Sequence, residues 1–281
     1  MKKLLAILLT LALSLSFTAA LADTVTIGVP NDTTNEARAL LLLQANGIIK
    51  LAMGSGIQAT VRDIVENPCN VEIVEIEAAQ LPVQLPDLDY AVINSNYAIS
   101  ADLNPVKDSL LLEGSYSAYG NILAVKEGTE ESDKVKALVA ALESKQVADF
   151  ITETYNGSVV STVENPTDGY DATVDYDALK GQKITVAASP TPHAEILKVA
   201  REILAAKDVE LEIVEYSDYV QPNLVVDNGE INANYFQHLP YLEDFNAENG
   251  TKLVSVSVIH VEPMGLYGGR QTTLDALGLS K

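Results

Sequence analysis

The chain runs through one order of elements twice, which limits it to a fold built from two similar α/β halves. Val25-Thr26-Ile27-Gly28-Val29-Pro30 leads into a helical run. Val71-Glu72-Ile73-Val74-Glu75-Ile76 follows, then a proline-flanked segment and Leu88-Asp89-Tyr90-Ala91-Val92-Ile93-Asn94. From Ile184 the order recurs: Ile184-Thr185-Val186-Ala187-Ala188-Ser189, a helical run, Val209-Glu210-Leu211-Glu212-Ile213-Val214, a segment with Pro222, and Gly229-Glu230-Ile231-Asn232-Ala233-Asn234-Tyr235. Strands alternating with helices predict two α/β lobes. Ligands of such sheets lie beyond the C-terminal strand ends and between domains, so a cleft between the lobes is the expected site. The repeat names no ligand.

At 281 residues the chain is long enough for two cores, and 47% hydrophobic with 20% charged residues reads as folded and globular. Lys2 and Lys3, the apolar run Leu4 to Leu15 and the small-x-small Ala20-Leu21-Ala22 predict a signal peptide over 1–22, with the mature chain starting at Asp23. No later run approaches the ~20 apolar residues of a membrane span. Losing Lys2 and Lys3 takes the formal charge from −21 to −23. So acidic a surface repels phosphate backbones and anionic lipid, which argues against nucleic-acid and peripheral membrane binding. Cys69 is the one cysteine, so no intramolecular disulfide forms. It sits in the turn-like Asn67-Pro68-Cys69-Asn70 with no His nearby to favour a thiolate. With no cysteine in the signal region, export to a periplasmic or other extracytoplasmic space without a lipid anchor is expected.

Asn31 to Asn46 reads as a helix, with Thr33 or Thr34 as cap, Glu36 in the first turn and Asn46-Gly47 as its stop. Ser189-Pro190-Thr191-Pro192 opens a second helix, with Thr191 as cap and Pro192 at the first helical position. Its apolar residues Ile196, Leu197, Ala200, Ile203 and Leu204 share a face. Ser132 to Leu142 is a third, with Val135, Leu138, Val139 and Leu142 inward. Asn156 to Gln182, broken by Gly157, Asn165-Pro166, Asp168-Gly169 and Gly181, is the linker candidate.

Arg38 lies about one turn past the cap, at a strand's C-terminal edge. Free N–H groups and a guanidinium fork there suit a carboxylate, although a solvated helix arginine fits the position too. Asn94, at the end of its strand, offers both donor and acceptor, as turn-capping asparagines also do. Tyr235-Phe236-Gln237-His238-Leu239-Pro240-Tyr241 closes the matching strand with three aromatics and a His, suited to an apolar ligand side chain or simply to a core cluster. A metal site from His193, His238 and His260, with Glu195 beside His193, matches no short metal motif. The chain lacks a Gly-x-Ser-x-Gly elbow, a P-loop and a His-Glu-x-x-His run, so catalysis is not expected.

Several of these residues belong to longer runs: Pro30-Asn31-Asp32-Thr33-Thr34-Asn35, the helix with Arg38 and Leu40-Leu41-Leu42-Leu43-Gln44, Val65-Glu66-Asn67-Pro68, Glu75-Ile76-Glu77-Ala78-Ala79-Gln80-Leu81-Pro82, Ala91-Val92-Ile93-Asn94, Tyr219-Val220-Gln221-Pro222-Asn223 and Phe236-Gln237-His238. Together they resemble the methionine-binding lipoproteins of the NlpA/MetQ family, the binding components of methionine ABC importers. The resemblance covers nearly the whole mature chain and implies a two-lobed periplasmic-binding-protein fold of type II. The order differs from the family's: the part resembling Ile184 to Arg270 comes first there, and the part resembling Val25 to Tyr155 second. Thr272-Thr273-Leu274-Asp275-Ala276-Leu277 looks like the family's lead-in to the strand at Val25. The chain therefore resembles a circular permutant, joined through Asn156 to Gln182. One lobe is expected over 23–114 plus the tail 271–281, the other over 115–270 including 156–182.

The resemblance carries the family's ligand contacts to Arg38, Asn94, Asn121, Tyr219, Phe236, His238 and Tyr241. It implies that Arg38 grips the ligand carboxylate at two points and that Asn94 and Asn121 bond the amino and carboxylate groups. Tyr219, Phe236, His238 and Tyr241 would line the side-chain pocket, where a thioether packs well on aromatic edges. Asn121, in Ser117-Ala118-Tyr119-Gly120-Asn121, is the weakest match. Expected partners are methionine and a membrane ABC permease; no cofactor is expected, and the protein is expected to be a monomer. A receptor for another small amino acid or a Met-containing dipeptide is the nearest alternative, since the same carboxylate grip would serve.

Overall fold

The computed structural model describes residues 24–114 and 119–279. The expected signal peptide, 1–22, lies outside the described residues, as do Ser117 and Ala118 of the Asn121 match. The strands in chain order are β1 (Val25–Pro30), the pair β2 (Lys50–Leu51) and β3 (Ile64–Glu66), β4 (Val71–Ile76), β5 (Tyr90–Ile93), β6 (Ser109–Leu112), β7 (Gly120–Lys126), β8 (Val160–Ser161), β9 (Lys183–Ala188), β10 (Glu210–Glu215), β11 (Ala233–His238), β12 (Leu253–Val261) and β13 (Gly265–Gly268). The helices that matter here are α1 (Thr33–Ala45), α2 (Ser95–Ser100), α3 (Asp133–Leu142), α4 (Lys145–Tyr155), α5 (Glu195–Ala205), α6 (Gln221–Asp227) and α7 (Leu239–Asn249).

Two sheets carry the repeat. One has the order β4-β1-β5-β13-β6 and the other β10-β9-β11-β7-β12-β8. In each, a half's first three strands run parallel in the order second, first, third. An antiparallel strand then arrives from the far side of a crossing: β13 between β5 and β6, and β7 between β11 and β12. This is the two-lobed α/β arrangement that the repeat predicts. The central strands β5 and β11 are buried along their whole length, as strands covered on both faces must be. The edge strands β4 and β10 read VEIVEI and ELEIVE and carry exposed glutamates, which deter further pairing.

Each sheet has its own core. Ile27, Val29, Leu40, Leu43, Tyr90, Val92 and Leu266 form one, joined by Leu274 and Leu277 of the tail. Leu123, Val125, Leu138, Ile151, Val186, Ile196, Leu197, Ala200, Ile203 and Leu204 are among those forming the other. The predicted faces of α3 and α5 are thus the buried ones, apart from Val139, which is half-buried against that second core.

Local details differ from expectation in three places. The α1 cap is Asp32, whose side chain accepts from the Asn35 N–H; Thr33 and Thr34 already lie within the helix. Thr191 does not cap α5: it is extended (φ −133°, ψ 137°) and its hydroxyl donates to Glu195 at 2.9 Å, with the regular helix starting at Glu195. The segment 156–182 is a packed connection rather than a free linker. β8 pairs with β12, and Val159, Val174 and Leu179 are buried in the second core. The return to the first sheet also comes earlier than the boundary at 270, because the short apolar Gly265–Gly268 is itself the strand between β5 and β6.

Asp89 ties the tail to the start of β1. Its Oδ2 accepts from the Thr26 N–H at 2.9 Å, the Thr26 hydroxyl at 3.0 Å and Arg270 Nη2 at 2.9 Å. Burial raises its pKa, but the Thr26 and Arg270 donors outweigh that and hold the carboxyl below its usual range. A depressed carboxyl stabilises the fold above the unfolded-state value of about 3.9, and that contribution disappears as pH falls through the folded value. Asp89→Ala should therefore cost about 1–3 kcal/mol at neutral pH. The difference from the unsubstituted chain, measured by urea unfolding, should shrink once the pH is below about 4.

Candidate functional site

The C-terminal ends of β1, β5 and β11 point toward one cavity. Beyond β1 lies the start of α1 with Asn35 and Arg38; beyond β5, Asn94 and α2; β11 ends in Phe236 and His238. β7 runs the other way, so its N-terminal Asn121 stands opposite His238 on one side and His260 on the other. All seven residues picked out from the sequence line this cavity: Arg38, Asn94, Asn121, Tyr219, Phe236, His238 and Tyr241. Asn35, Asn96, His193 and Glu262 also line it and were not picked out as ligand contacts.

A cap sets the polarity of one wall. The Asp32 carboxylate only accepts, so it takes the Asn35 N–H at 3.0 Å and Asn35 Nδ2 at 2.8 Å. That turns Asn35 Oδ1 outward, where it accepts from Asn94 Nδ2 at 2.9 Å and from His238 Nε2 at 3.2 Å. His238 Nδ1 accepts from the Tyr241 N–H, which puts the ring proton on Nε2. Asn94 is then left with Oδ1 buried and, among the described residues, without a partner. Burial, reinforced by nearby Arg38, holds His238 neutral, well below the usual imidazole range.

Arg38 is buried and held firmly. Its Nε lies 3.1 Å from both Glu113 oxygens, Nη2 donates to Glu113 and, at 2.7 Å, to the Glu262 carbonyl, and the guanidinium sits 4.5 Å from the Tyr119 ring centroid. Among the described residues Nη1 alone carries no hydrogen bond. In this conformation Glu113 occupies the Nε/Nη2 edge, so the two-point grip that the resemblance implies is not open on that edge. Nothing in the sequence marks Glu113, which stands 75 residues from Arg38 and reaches it only through the sheet.

The opposite wall is aromatic. Tyr219 packs on Phe236 at 5.7 Å and on Tyr241 at 5.8 Å between ring centres. Their hydroxyls are anchored: Tyr219 donates to Asn96 Oδ1 at 2.7 Å and Tyr241 to the Tyr219 carbonyl at 3.0 Å. Tyr235, counted with them from the sequence, faces away and bonds His260 instead. Tyr219–Asn96, His238–Asn35 and the Tyr97 bond to the Ser217 carbonyl at 3.1 Å all join one half to the other. The cavity between them is narrow, about 20 Å³ on the measure in which one water needs about 10–15 Å³. An amino-acid-sized ligand enters only if these walls part.

Behind the polar wall lies a buried chain. Tyr235 donates its hydroxyl to His260 Nδ1, His260 Nε2 donates to Glu262 Oε1 at 2.7 Å, and His193 Nε2 lies 3.3 Å from the same oxygen and 2.9 Å from Asn121 Oδ1. Burial pushes both rings down to about 3, so both are neutral at physiological pH. The ligating atoms of His193, His260 and Glu262 lie within 4.8 Å of one another, so they are the residues that could hold a cation. A cation would have to displace the hydrogen bonds that now use those atoms. The sequence offers His193, His238 and His260 with Glu195 as candidates and matches them to no metal motif; of these the cluster takes His193 and His260, with Glu262 in place of His238 and Glu195. The period-2 spacing of His260 and Glu262 was the available signal.

Replacing Glu113 should expose the dependence on its pairing with Arg38. Glu113→Ala leaves a buried guanidinium without its counter-charge and should lower stability by about 3–5 kcal/mol in urea unfolding.

A family model, the NlpA lipoprotein, matches residues 15–163 and 184–280. The D-methionine-binding lipoprotein MetQ of Escherichia coli is 44% identical over 142 residues, 50% of this chain and 52% of that one. A membrane lipoprotein of Treponema pallidum is 46% identical over 135 residues, 48% of this chain and 50% of that one. A solved nutrient-binding protein of Burkholderia cenocepacia, bound to methionine, is 48% identical over 50% of this chain and 61% of that one, with a TM-score of 0.48. The chain spans about half the length of the curated relatives it matches. Those relatives are named lipoproteins, which runs against the expectation of export without a lipid anchor. With the family model matched over most of its length, the chain belongs to the NlpA lipoprotein family.

Proposed function

We propose that this protein is an extracytoplasmic solute-binding protein that captures methionine, or a closely related amino acid, and delivers it to an ABC permease. One observation carries the reading. One interlobe cavity sets Arg38, Asn94, Asn121 and Glu262 against an aromatic wall of Tyr219, Phe236 and Tyr241. That polarity matches a zwitterion with an apolar side chain. Arg38 meets the carboxylate through Nη1. Asn121, with Oδ1 committed to His193, adds a donor from Nδ2, and Asn94 Oδ1 accepts from the amino group. The thioether packs on the aromatic edges. The bonds that now join the two halves would open to admit the ligand and close around it. The site binds rather than catalyses: His193 and His238 are neutral and hydrogen-bonded to asparagines, as positioning groups are. The protein acts as a monomer.

The order of the halves is best read as a circular permutation. The family model is met in two stretches, and each named relative matches this chain over only about half its length. Leu274 and Leu277 pack in the core that contains Ile27, and Tyr90 Oη donates to the Thr273 carbonyl at 2.5 Å, so the tail adjoins β1. Permutation is tolerated where termini lie near one another. The lobes then comprise 23–114 with 265–281, and 115–264.

Calorimetric titration of the unfolded and refolded protein with L-methionine tests the receptor reading, and one-to-one binding is expected. Binding only to D-methionine, another amino acid or a Met-containing dipeptide keeps the receptor and changes its cargo. No heat from any of these with a folded sample overturns it. Arg38→Ala should weaken binding by about 2–5 kcal/mol, and unchanged affinity would remove Arg38 from the carboxylate. Phe236→Ala should reduce the preference for methionine over alanine by about tenfold, as loss of a side-chain contact does.

A further inference from the structure

Of the hydrogen bonds that join the halves, Tyr219–Asn96 and His238–Asn35 use residues that line the cavity. The bond from the Tyr97 hydroxyl to the Ser217 carbonyl, at 3.1 Å, uses two residues that do not.

Tyr97 and its partners are rooted in different lobes. Tyr97, on α2, is half-buried against the cluster of Ile76, Leu81, Leu85 and Ile93 in the first lobe. Tyr219 packs against Phe236, Tyr241 and Phe245 of the second. The two rings meet between the lobes with centres 5.0 Å apart and planes tilted by 32°, a spacing at which aromatic pairs attract. The segment on the far side is itself fixed. Asp218 Oδ1 accepts from the Val220 and Gln221 N–H groups at 2.8 Å each, closing the turn before α6. Tyr241 donates to the Tyr219 carbonyl at 3.0 Å. Tyr97 thus bears on a braced part of the other lobe, through a ring contact and a hydrogen bond.

Parting the lobes to admit a ligand breaks both Tyr97 contacts, and closure remakes them. They are made by protein atoms alone. They therefore favour the closed form by the same amount whichever ligand it holds.

We propose that Tyr97 is a positioning residue that latches the two lobes together from outside the cavity, setting how long a captured ligand is retained without reading its side chain. This rests on the receptor reading of the cavity. Phe236 and Tyr241 hold Tyr219 from within its own lobe, so the pocket wall keeps its shape when Tyr97 is removed.

Stopped-flow dissociation of L-methionine and of L-norleucine, in which a methylene replaces the sulfur, tests this on the full chain. Y97F keeps the ring and removes the hydroxyl, and should release both ligands about two- to fivefold faster. Y97A also removes the ring pair and should release both at least about tenfold faster, with association within about threefold of the unsubstituted rate. Equal acceleration for the two ligands separates a latch from a loosened pocket wall. Unchanged release from Y97A, or from Y97F if Y97A does not fold, overturns the latch. So does acceleration that differs more than about threefold between the ligands. A second measurement uses no ligand. Fluorescent labels on V83C and E153C, exposed positions of the two lobes, in a C69S background should report a smaller closed population with the Tyr97 substitution than without it. Equal populations overturn the latch. Binding of neither ligand by the unsubstituted protein would instead overturn the receptor reading, and the label measurement would still decide the latch.

Discussion

Each sheet is completed by a strand that arrives from beyond a crossing between the halves. β7 seats between β11 and β12, and β13 between β5 and β6, both antiparallel to their neighbours. A central strand satisfies its backbone groups on both sides, so neither insertion slips without breaking two ladders. The site depends on this. Because β7 runs against β11, its first residues stand beside β11's last, and Asn121 comes to lie between His238 and His260. The crossing from β12 to β13 likewise places Glu262 against the segment that follows β5.

Within that frame, the cost of burying charge organises the chemistry. Arg38, which lines the cavity, is neutralised by Glu113 through its Nε and Nη2. The three histidines are kept neutral by burial and act as oriented dipoles. A buried imidazolium would need its own counter-charge, whereas a neutral ring hydrogen-bonded through its N–H orients its neighbours without one. The site is thus rigid in its donors and acceptors while little free charge remains in it.

An ordinary helix cap has a consequence beyond its helix. Asp32 closes the start of α1, and since a carboxylate only accepts, the side-chain amides of Asn35 and then Asn94 are turned one way. Asn35, Asn94 and His238 are set in sequence, and the relay ends at an acceptor facing the cavity. The bonds that cap the helix and those that set this wall of the cavity are here one network.

Much of this was legible along the chain. β-branched runs, helix stops and the second copy of the order marked the strands and helices, because burial imposes a period that composition must follow. The seven cavity residues came through the resemblance to a family, five of them inside long shared runs, and the structure gathers all seven. Glu113 was not legible as a site residue, since its partner Arg38 lies 75 residues away and meets it only across the sheet, while Glu262 had only its spacing from His260 to mark it. The caps of α1 and α5 were misread because threonine, aspartate and serine compete for the same backbone donors, and the choice depends on which side chain the neighbouring elements leave free. The amino-acid sequence by itself determined the two α/β halves and the residue types at the strand ends. Only the tertiary structure decided which charges are already paired and which still face the cavity, because pairing depends on distance and burial, and neither is a property of a residue's place in the chain.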